Sequence, residues 1–166
     1  MAFRVVLTAA VLAAGALALG ACGQDQVRSS MPVGLGPSFG LFFNDQGPTV
    51  SLAYGEANSD DVALMLQCAK GSGKVDVSDV VRGAGAPHLT LASAGLTTEL
   101  VTRLDTGESD APRLLVARTD VGSGALQGFR HSGRIDVAYG AVRYGLKASD
   151  AERPAVARFF SACQKS

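Results

Sequence analysis

Alternating apolar and polar residues fill most of the chain after Ser38. In one run, Leu89 and Leu91 alternate with Thr90 and Ala92, a two-residue period typical of a half-buried strand. Runs of this kind, separated by turn residues, cover residues 39–43, 50–54, 62–68, 75–77, 89–92, 96–103, 114–118, 135–139 and 142–146. Their length and close spacing predict a mainly β domain, either an antiparallel β-sandwich or a partly open barrel. Residues 62–66 also suit a short helix after a cap at residues 58–60.

The last segment breaks the alternation and predicts a C-terminal α-helix. Val156, Phe159, Phe160 and Cys163 fall at i, i+3, i+4 and i+7, on one helical face. Residues 149–152 read Ser-Asp-Ala-Glu, which fits a capping box at a helix start. Because Pro154 is best tolerated in the first helical turn, the start is expected to shift by a residue or two.

Residues 1–21 have the features of a secretory signal. One positive charge, Arg4, precedes an apolar stretch over residues 5–18 in which Thr8 is the only polar side chain. A transmembrane helix is the alternative, but residues 5–22 are rich in Ala and Gly and marginal in length for about 30 Å of hydrocarbon. No Lys/Arg cluster follows as a stop signal, so export is favoured.

The end of this segment, Leu19-Gly20-Ala21-Cys22, resembles the lipobox of bacterial lipoproteins, in which an aliphatic and two small residues precede a cysteine. The resemblance implies cleavage after Ala21 and attachment of a diacylglyceryl group to the Cys22 thiol. Several acyl chains would anchor the mature protein stably in a membrane. An ordinary signal peptide with a cysteine near its cleavage site is the alternative. The chain then divides into a signal peptide (1–21), the lipidated Cys22 with a flexible tether (22–37), and one domain (38–166).

The resemblance to lipoproteins also bears on location. Gly23, rather than Asp, follows Cys22, and in a Gram-negative source this favours the outer membrane, facing the periplasm. The globular part is similar to small proteobacterial envelope lipoproteins with no assigned activity, and that similarity brings no site residue. It is carried by residues 52–55, 58–61, 64–68 and 157–163.

The cysteine count agrees with export. If lipid occupies Cys22, Cys68 and Cys163 remain, and an even remainder in an oxidising compartment predicts one disulfide. Cys68 shares the inward face of its run, and Cys163 lies on the apolar face of the C-terminal helix, so both point toward a core. Two buried free thiols are the alternative. Cys-x-x-Cys is absent and the ligand spacing of a zinc site is missing, so neither a redox motif nor zinc is expected.

Composition narrows the class of protein. The 166 residues include 15 Lys/Arg and 15 Asp/Glu, giving a net charge of zero and a pI near 6.7. This balance argues against binding of nucleic acid by phosphate neutralisation and against a polybasic membrane binder. With 47% hydrophobic residues, the chain is not expected to be intrinsically disordered.

Two loops contain residue types found in ligand-binding loops, but a simple turn explains each of them. Asn58-Ser59-Asp60-Asp61 offers oxygens to a cation, yet it lacks the spaced acidic pattern and closing Glu of a Ca²⁺ loop, so a turn or helix cap is expected. Gly71-Ser72-Gly73-Lys74 hints at a phosphate loop, but Cys68 and Val75 stand where the motif needs Gly and Ser or Thr. A hairpin turn is expected, and no cofactor or metal is predicted.

The remaining candidates are isolated side chains. His88 and His131 are the only histidines, and either could act as a base with a serine such as Ser93 or Ser123, although Gly-x-Ser-x-Gly is absent. The cluster Arg130-His131-Ser132-Gly133-Arg134 suits an anionic headgroup or glycan, but a solvated turn between two strands is favoured. The aromatic group near the tether suits either partner docking or core packing, with packing favoured, and comprises Phe39, Phe42 and Phe43.

Two classes of function stay open. The first is a non-enzymatic envelope lipoprotein that binds a partner protein, glycan or lipid near the membrane. The second is a small envelope hydrolase acting on cell-wall or lipid substrates, which requires His88 or His131 to meet a carboxylate and a nucleophile in a cleft. An inhibitor or chaperone-like module overlaps the first class and would expose an apolar patch or a sheet edge.

Overall fold

Strands dominate the computed structural model, which describes residues 38–107 and 112–164. This confirms the mainly β prediction with its C-terminal helix. The strands in chain order are β1 (Phe39–Gln46), β2 (Thr49–Glu56), β3 (Val62–Ala69), β4 (Lys74–Val80), β5 (His88–Ser93), β6 (Leu96–Val101), β7 (Arg103–Asp105), β8 (Leu114–Asp120), β9 (Arg134–Tyr139) and β10 (Val142–Lys147). The helices are α1 (Gly124–Ser132), between β8 and β9, and α2 (Arg153–Cys163), after β10.

The strands form two antiparallel sheets, so the sandwich is the alternative that the chain adopts. Sheet A has the order β1-β2-β3-β4-β8-β7, and sheet B has the order β10-β9-β5-β6. Residues 62–66 belong to β3, not to a helix. The chain passes from sheet B to sheet A at Thr102, which separates β6 from β7. The position of Thr102 is fixed by a hydrogen bond, because its N–H donates to the Pro87 carbonyl at 2.9 Å.

One hydrophobic core lies between the inward faces of the two sheets. Apolar residues at alternate positions, such as Leu89 and Leu91 on β5, are fully buried, as the alternation predicts. The two helices add the largest aromatic side chains. Phe160 on α2 packs edge-on against Phe129 on α1 and against Phe159, with ring centroids 6.1 Å and 5.4 Å away.

Helix α2 begins at Arg153, so Pro154 lies in its first turn, where a missing N–H costs nothing. The predicted pair of Ser149 and Glu152 is in contact, since the Ser149 N–H donates to the Glu152 Oε2 at 2.6 Å. The other carboxylate oxygen of Glu152 accepts a 2.7 Å hydrogen bond from the N–H of Leu41 on β1. Glu152 therefore connects the start of α2 to the free edge of sheet A.

Helix α1 was not expected from the sequence. The segment read as a turn between two strands, residues 130–134, instead contains the last turn of α1, its left-handed Gly133 cap and the first residue of β9. Only Leu126 and Phe129 supply large buried side chains to this nine-residue helix. Gly128 allows it to lie on sheet B, because a Cβ there would lie 2.6 Å from the Ser93 carbonyl oxygen.

Within residues 38–107 and 112–164, no helix has the length and apolar character needed to cross a bilayer.

Candidate functional site

The predicted lipidation site, Cys22, and the predicted cleavage after Ala21 lie outside the described residues, as does the 22–37 tether. The first described strand begins at Phe39, so the structure fixes where the segment from Cys22 enters the domain. That entry point is the edge of sheet A next to the start of α2.

The predicted disulfide is present. Cys68 near the end of β3 is bonded to Cys163 at the end of α2, with Cα atoms 5.8 Å apart. Both residues are buried, at 2% and 0% exposure. The bond joins the C-terminal helix to sheet A across 95 residues of chain.

The loop that hinted at a phosphate site is the hairpin turn between β3 and β4, as expected. Its N–H groups are already engaged, because Gly71 donates to the Ala162 carbonyl and Gly73 to the Cys163 carbonyl, both at 2.9 Å. These carbonyls belong to the last turn of α2, which otherwise leaves its final carbonyls unpaired. The turn thus caps the helix that the disulfide holds.

The loop at residues 58–61 is a turn between β2 and β3, with Asn58 in the left-handed region at φ 58°. The Ser59 hydroxyl accepts from the Asp61 N–H at 3.1 Å, and the Asp61 carbonyl accepts from Glu56 at 2.9 Å. The described residues contain no group of three or more His, Cys, Asp or Glu side chains placed to hold a metal ion.

The two histidines lie at different ends of strand β5. His88 begins β5, and its Nδ1 lies 3.3 Å from the Glu99 carboxylate. His131 is exposed on the last turn of α1, where its Nδ1 lies 2.7 Å from the Gln127 carbonyl oxygen. The neighbouring Ser132 contacts Ser93, at the far end of β5, at 3.2 Å. Six residues of strand span about 16 Å from end to end, so the histidines are well separated.

Neither candidate serine has a histidine partner in the described part of the chain. Ser93 is buried, and its hydroxyl donates to the Arg134 carbonyl at 2.5 Å. Ser123 precedes α1, and its buried hydroxyl has no hydrogen-bond partner there. The two serines considered from the sequence therefore do not complete the His88–Glu99 contact with a nucleophile.

The aromatic group at the domain entrance packs mainly against neighbours. Phe39 lies on Tyr54 with ring centroids 5.6 Å apart, and Arg158 of α2 lies 4.8 Å above the Phe43 ring. Phe42 faces outward and is 38% exposed.

A buried polar cluster joins the two sheets and was not predicted from the sequence. Asp79 on β4 is fully buried and accepts a hydrogen bond from the Tyr144 hydroxyl on β10. The Arg82 guanidinium lies 3.7 Å from its other carboxylate oxygen. The Tyr139 hydroxyl accepts from the Arg82 N–H and donates to the Val80 carbonyl, each at 3.0 Å. The sequence does contain a sign of this cluster, because Asp79 follows Val75 and Val77 at the two-residue spacing of the inward face of β4.

Burial dominates the electrostatics of this cluster. It raises the pKa of Asp79 to about 6, although the Tyr144 hydrogen bond and the Arg82 charge act in the opposite direction. Burial also raises the pKa of Tyr144 well above its ordinary value. Because one oxygen of Asp79 has no hydrogen-bond partner, the cluster favours the neutral carboxyl more than an exposed aspartate would.

A pocket of about 310 Å³ opens beside this cluster, at one end of sheet B. Its lining includes the small residues Ala86, Pro87, Ala138 and Gly140, and His88, Thr90 and Arg143 supply its polar groups. Arg143 is exposed and donates to the Val142 carbonyl at 3.1 Å. Tyr139 belongs both to the pocket lining and to the buried cluster. In this open depression, Thr90 and Arg143 are side chains that can donate hydrogen bonds to a small ligand.

Comparison with family models, with curated proteins and with solved structures finds no match to this chain.

Proposed function

We propose that the protein is an exported lipoprotein, anchored through Cys22, whose β-sandwich is a non-enzymatic binding or structural module of the cell envelope. The observation that carries this proposal is the buried Cys68–Cys163 disulfide. It uses the two cysteines that remain once Cys22 is assigned to lipid. A structural disulfide of this kind is typical of exported proteins and rare in the cytosol.

The binding part of the proposal rests on the end of sheet B. The pocket there offers His88, Thr90 and Arg143 over an apolar floor. In the described residues, no serine is hydrogen-bonded to a histidine, which favours binding over hydrolysis. With Gly23 after Cys22, the proposed location in a Gram-negative cell is the outer membrane, with the domain in the periplasm.

Metabolic labelling with a fatty acid tests the anchor in cells that express the full chain. Label should enter the wild-type protein and be lost in Cys22→Ser, which should also leave the membrane fraction or stay unprocessed. Cys163→Ser is the matched control, because it removes a cysteine that is bonded in the structure and should keep the label. Retention of label in Cys22→Ser would refute the lipobox assignment.

A further inference from the structure

Charge is distributed unevenly along this neutral chain. Residues 38–123 contain six Lys/Arg and eleven Asp/Glu, whereas residues 124–164 contain six Lys/Arg and three Asp/Glu. The basic part comprises α1, β9, β10 and α2. A zero net charge therefore conceals one acidic and one basic region within the same domain.

The basic region includes two like charges placed side by side. Arg134 on β9 and Lys147 on β10 are directly opposed in the antiparallel register, and both are exposed. Like charges in this position destabilise a sheet. Asp136 lies on the same face of the sheet, yet no carboxylate in the described residues forms an ion pair with either cation. On sheet A, by contrast, Arg118 holds Asp76 at 2.6 Å.

A third cation lies next to this pair. The Arg153 Nη2 donates to the carbonyl of His131 in the last turn of α1 at 2.5 Å, and its Nη1 is buried without a hydrogen-bond partner. Gly133, which follows that turn, accepts from the Ala148 N–H at 2.8 Å, so the residues next to Arg134 and Lys147 are bonded together. We name Arg134, Lys147 and Arg153 the basic end.

The chain from Cys22 enters the domain beside the basic end. Leu41 on β1 donates to Glu152, the residue before Arg153. Glu152 in turn accepts from Ser149, two residues after Lys147. The span from Cys22 to Ser38 is at most about 55 Å when fully extended, so an anchor at Cys22 keeps a bilayer within reach of this end.

We propose that the basic end binds the anionic phospholipid headgroups of the bilayer that holds Cys22, an inference that rests on the proposed lipid anchor. Anionic headgroups attract each nearby Lys or Arg, and salt screens the attraction. They would also relieve the repulsion between Arg134 and Lys147, neither of which is ion-paired with a carboxylate in the described domain. The domain would then lie against the membrane through the basic end, with the pocket at the opposite end of β9 and β10.

Flotation with lipid vesicles tests the basic end apart from the anchor. The probe is the mature chain from residue 22 with Cys22→Ser, mixed with phosphatidylcholine vesicles with or without phosphatidylglycerol. Binding should require phosphatidylglycerol and disappear at high salt. Adding Arg134→Gln and Lys147→Gln should lower the partition coefficient about 25-fold, since each cation near an anionic surface changes it about fivefold. The matched control, Lys70→Gln with Lys74→Gln, removes two exposed cations near the other end of α2 and should change it less than about twofold.

Equal binding by the basic-end variant and the control variant would overturn the inference, as would binding that ignores phosphatidylglycerol. A third outcome would also overturn it: the wild-type domain binds a soluble anionic polysaccharide, the basic-end variant does not, and neither prefers one kind of vesicle. The ligand would then be a glycan and not a lipid headgroup. Matching urea-unfolding midpoints establish that both variants fold. Fatty-acid labelling of the wild-type chain in cells reports on the anchor alone, so failure of the anchor and failure of the basic end are distinguishable.

Discussion

Tyr144 on β10 donates its hydroxyl hydrogen bond to Asp79 on β4, and this contact places a buried carboxylate between the two sheets. The Arg82 guanidinium lies 5.9 Å from the Tyr144 ring centroid and closes the cluster from one side. The two sheets are thus joined by polar contacts near the pocket as well as by the apolar core.

The raised pKa of Asp79, about 6 against 3.8 in an ordinary aspartate, predicts an unusual pH dependence of stability. Between these values the folded state holds a proton that the unfolded state has released. The free energy of unfolding should therefore fall as pH rises from about 4 to 6, by up to about 3 kcal/mol from this group. Above pH 6 the contribution should be constant.

Urea unfolding of Asp79→Asn across this pH range isolates the effect, because asparagine keeps the shape and does not titrate. The difference between wild type and variant should show the slope, while Asp76→Asn on the exposed face of the same strand should retain the wild-type behaviour. An equal slope in Asp79→Asn and the wild type would show that this carboxyl does not titrate there.

The disulfide predicts strongly coupled cysteine variants. Cys68→Ser and Cys163→Ser should each destabilise the domain by a similar amount, at most about 4–5 kcal/mol for a loop of 95 residues. The double variant should cost little more than either single one, because the first substitution already breaks the bond. Chemical denaturation with and without reductant measures this, and simple additivity would contradict the pairing.

Removal of the Glu152 carboxylate should lower stability, because it accepts hydrogen bonds from the edge of sheet A and from the start of α2. Burial favours the protonated form, but hydrogen bonds from Ser149 and Leu41 hold the pKa of Glu152 below its ordinary value. Glu152→Ala removes the partner of the part-buried Leu41 N–H, whereas water can reach Ser149, and it should lower the free energy of unfolding by about 1–2 kcal/mol. Asp150→Ala, at an exposed neighbouring position, should change it by less than about 0.5 kcal/mol. Equal effects of the two variants would remove Glu152 from this role.

Replacement of Gly128 by alanine should change stability in the direction opposite to that expected from helix propensity. Alanine in a helix is favoured over glycine by about 1 kcal/mol, yet a Cβ at Gly128 would meet the Ser93 backbone. Gly128→Ala should therefore destabilise the protein by about 1–3 kcal/mol. At Gly124 the nearest atom to such a Cβ is 3.4 Å away, on the Leu96 side chain, so Gly124→Ala is the control and should be tolerated. A stabilised Gly128→Ala would contradict the close packing of α1 on β5.

The sequence predicted the strands well because their period reflects burial directly. Leu89 and Leu91 face the core, and the alternation identifies such positions without knowledge of their partners. The cysteine pairing was also predictable, since only two cysteines remained after Cys22. The break at Thr102 was not, because the run 96–103 continues smoothly while the chain changes sheet there.

The elements that the sequence did not predict depend on tertiary contacts. Helix α1 contains Gly124 and Gly128, which lower helix propensity. Glycine is required at position 128 because the Ser93 carbonyl, which is distant in the sequence, leaves no space for a Cβ. The Asp79 cluster required knowing that β4 and β10 lie across the core from each other. Neither contact is visible in the hydrophobic pattern of a single strand or helix.

We propose that Cys22 carries the lipid, while Cys68 and Cys163 form the disulfide. Intact-mass measurement of the protein, extracted from its own membrane without reductant, tests both parts together. We expect a chain that begins at Cys22, bears acyl groups there and lacks two hydrogens relative to the reduced form. A chain with an unmodified Cys22, or one that gains no mass on reduction, would contradict it.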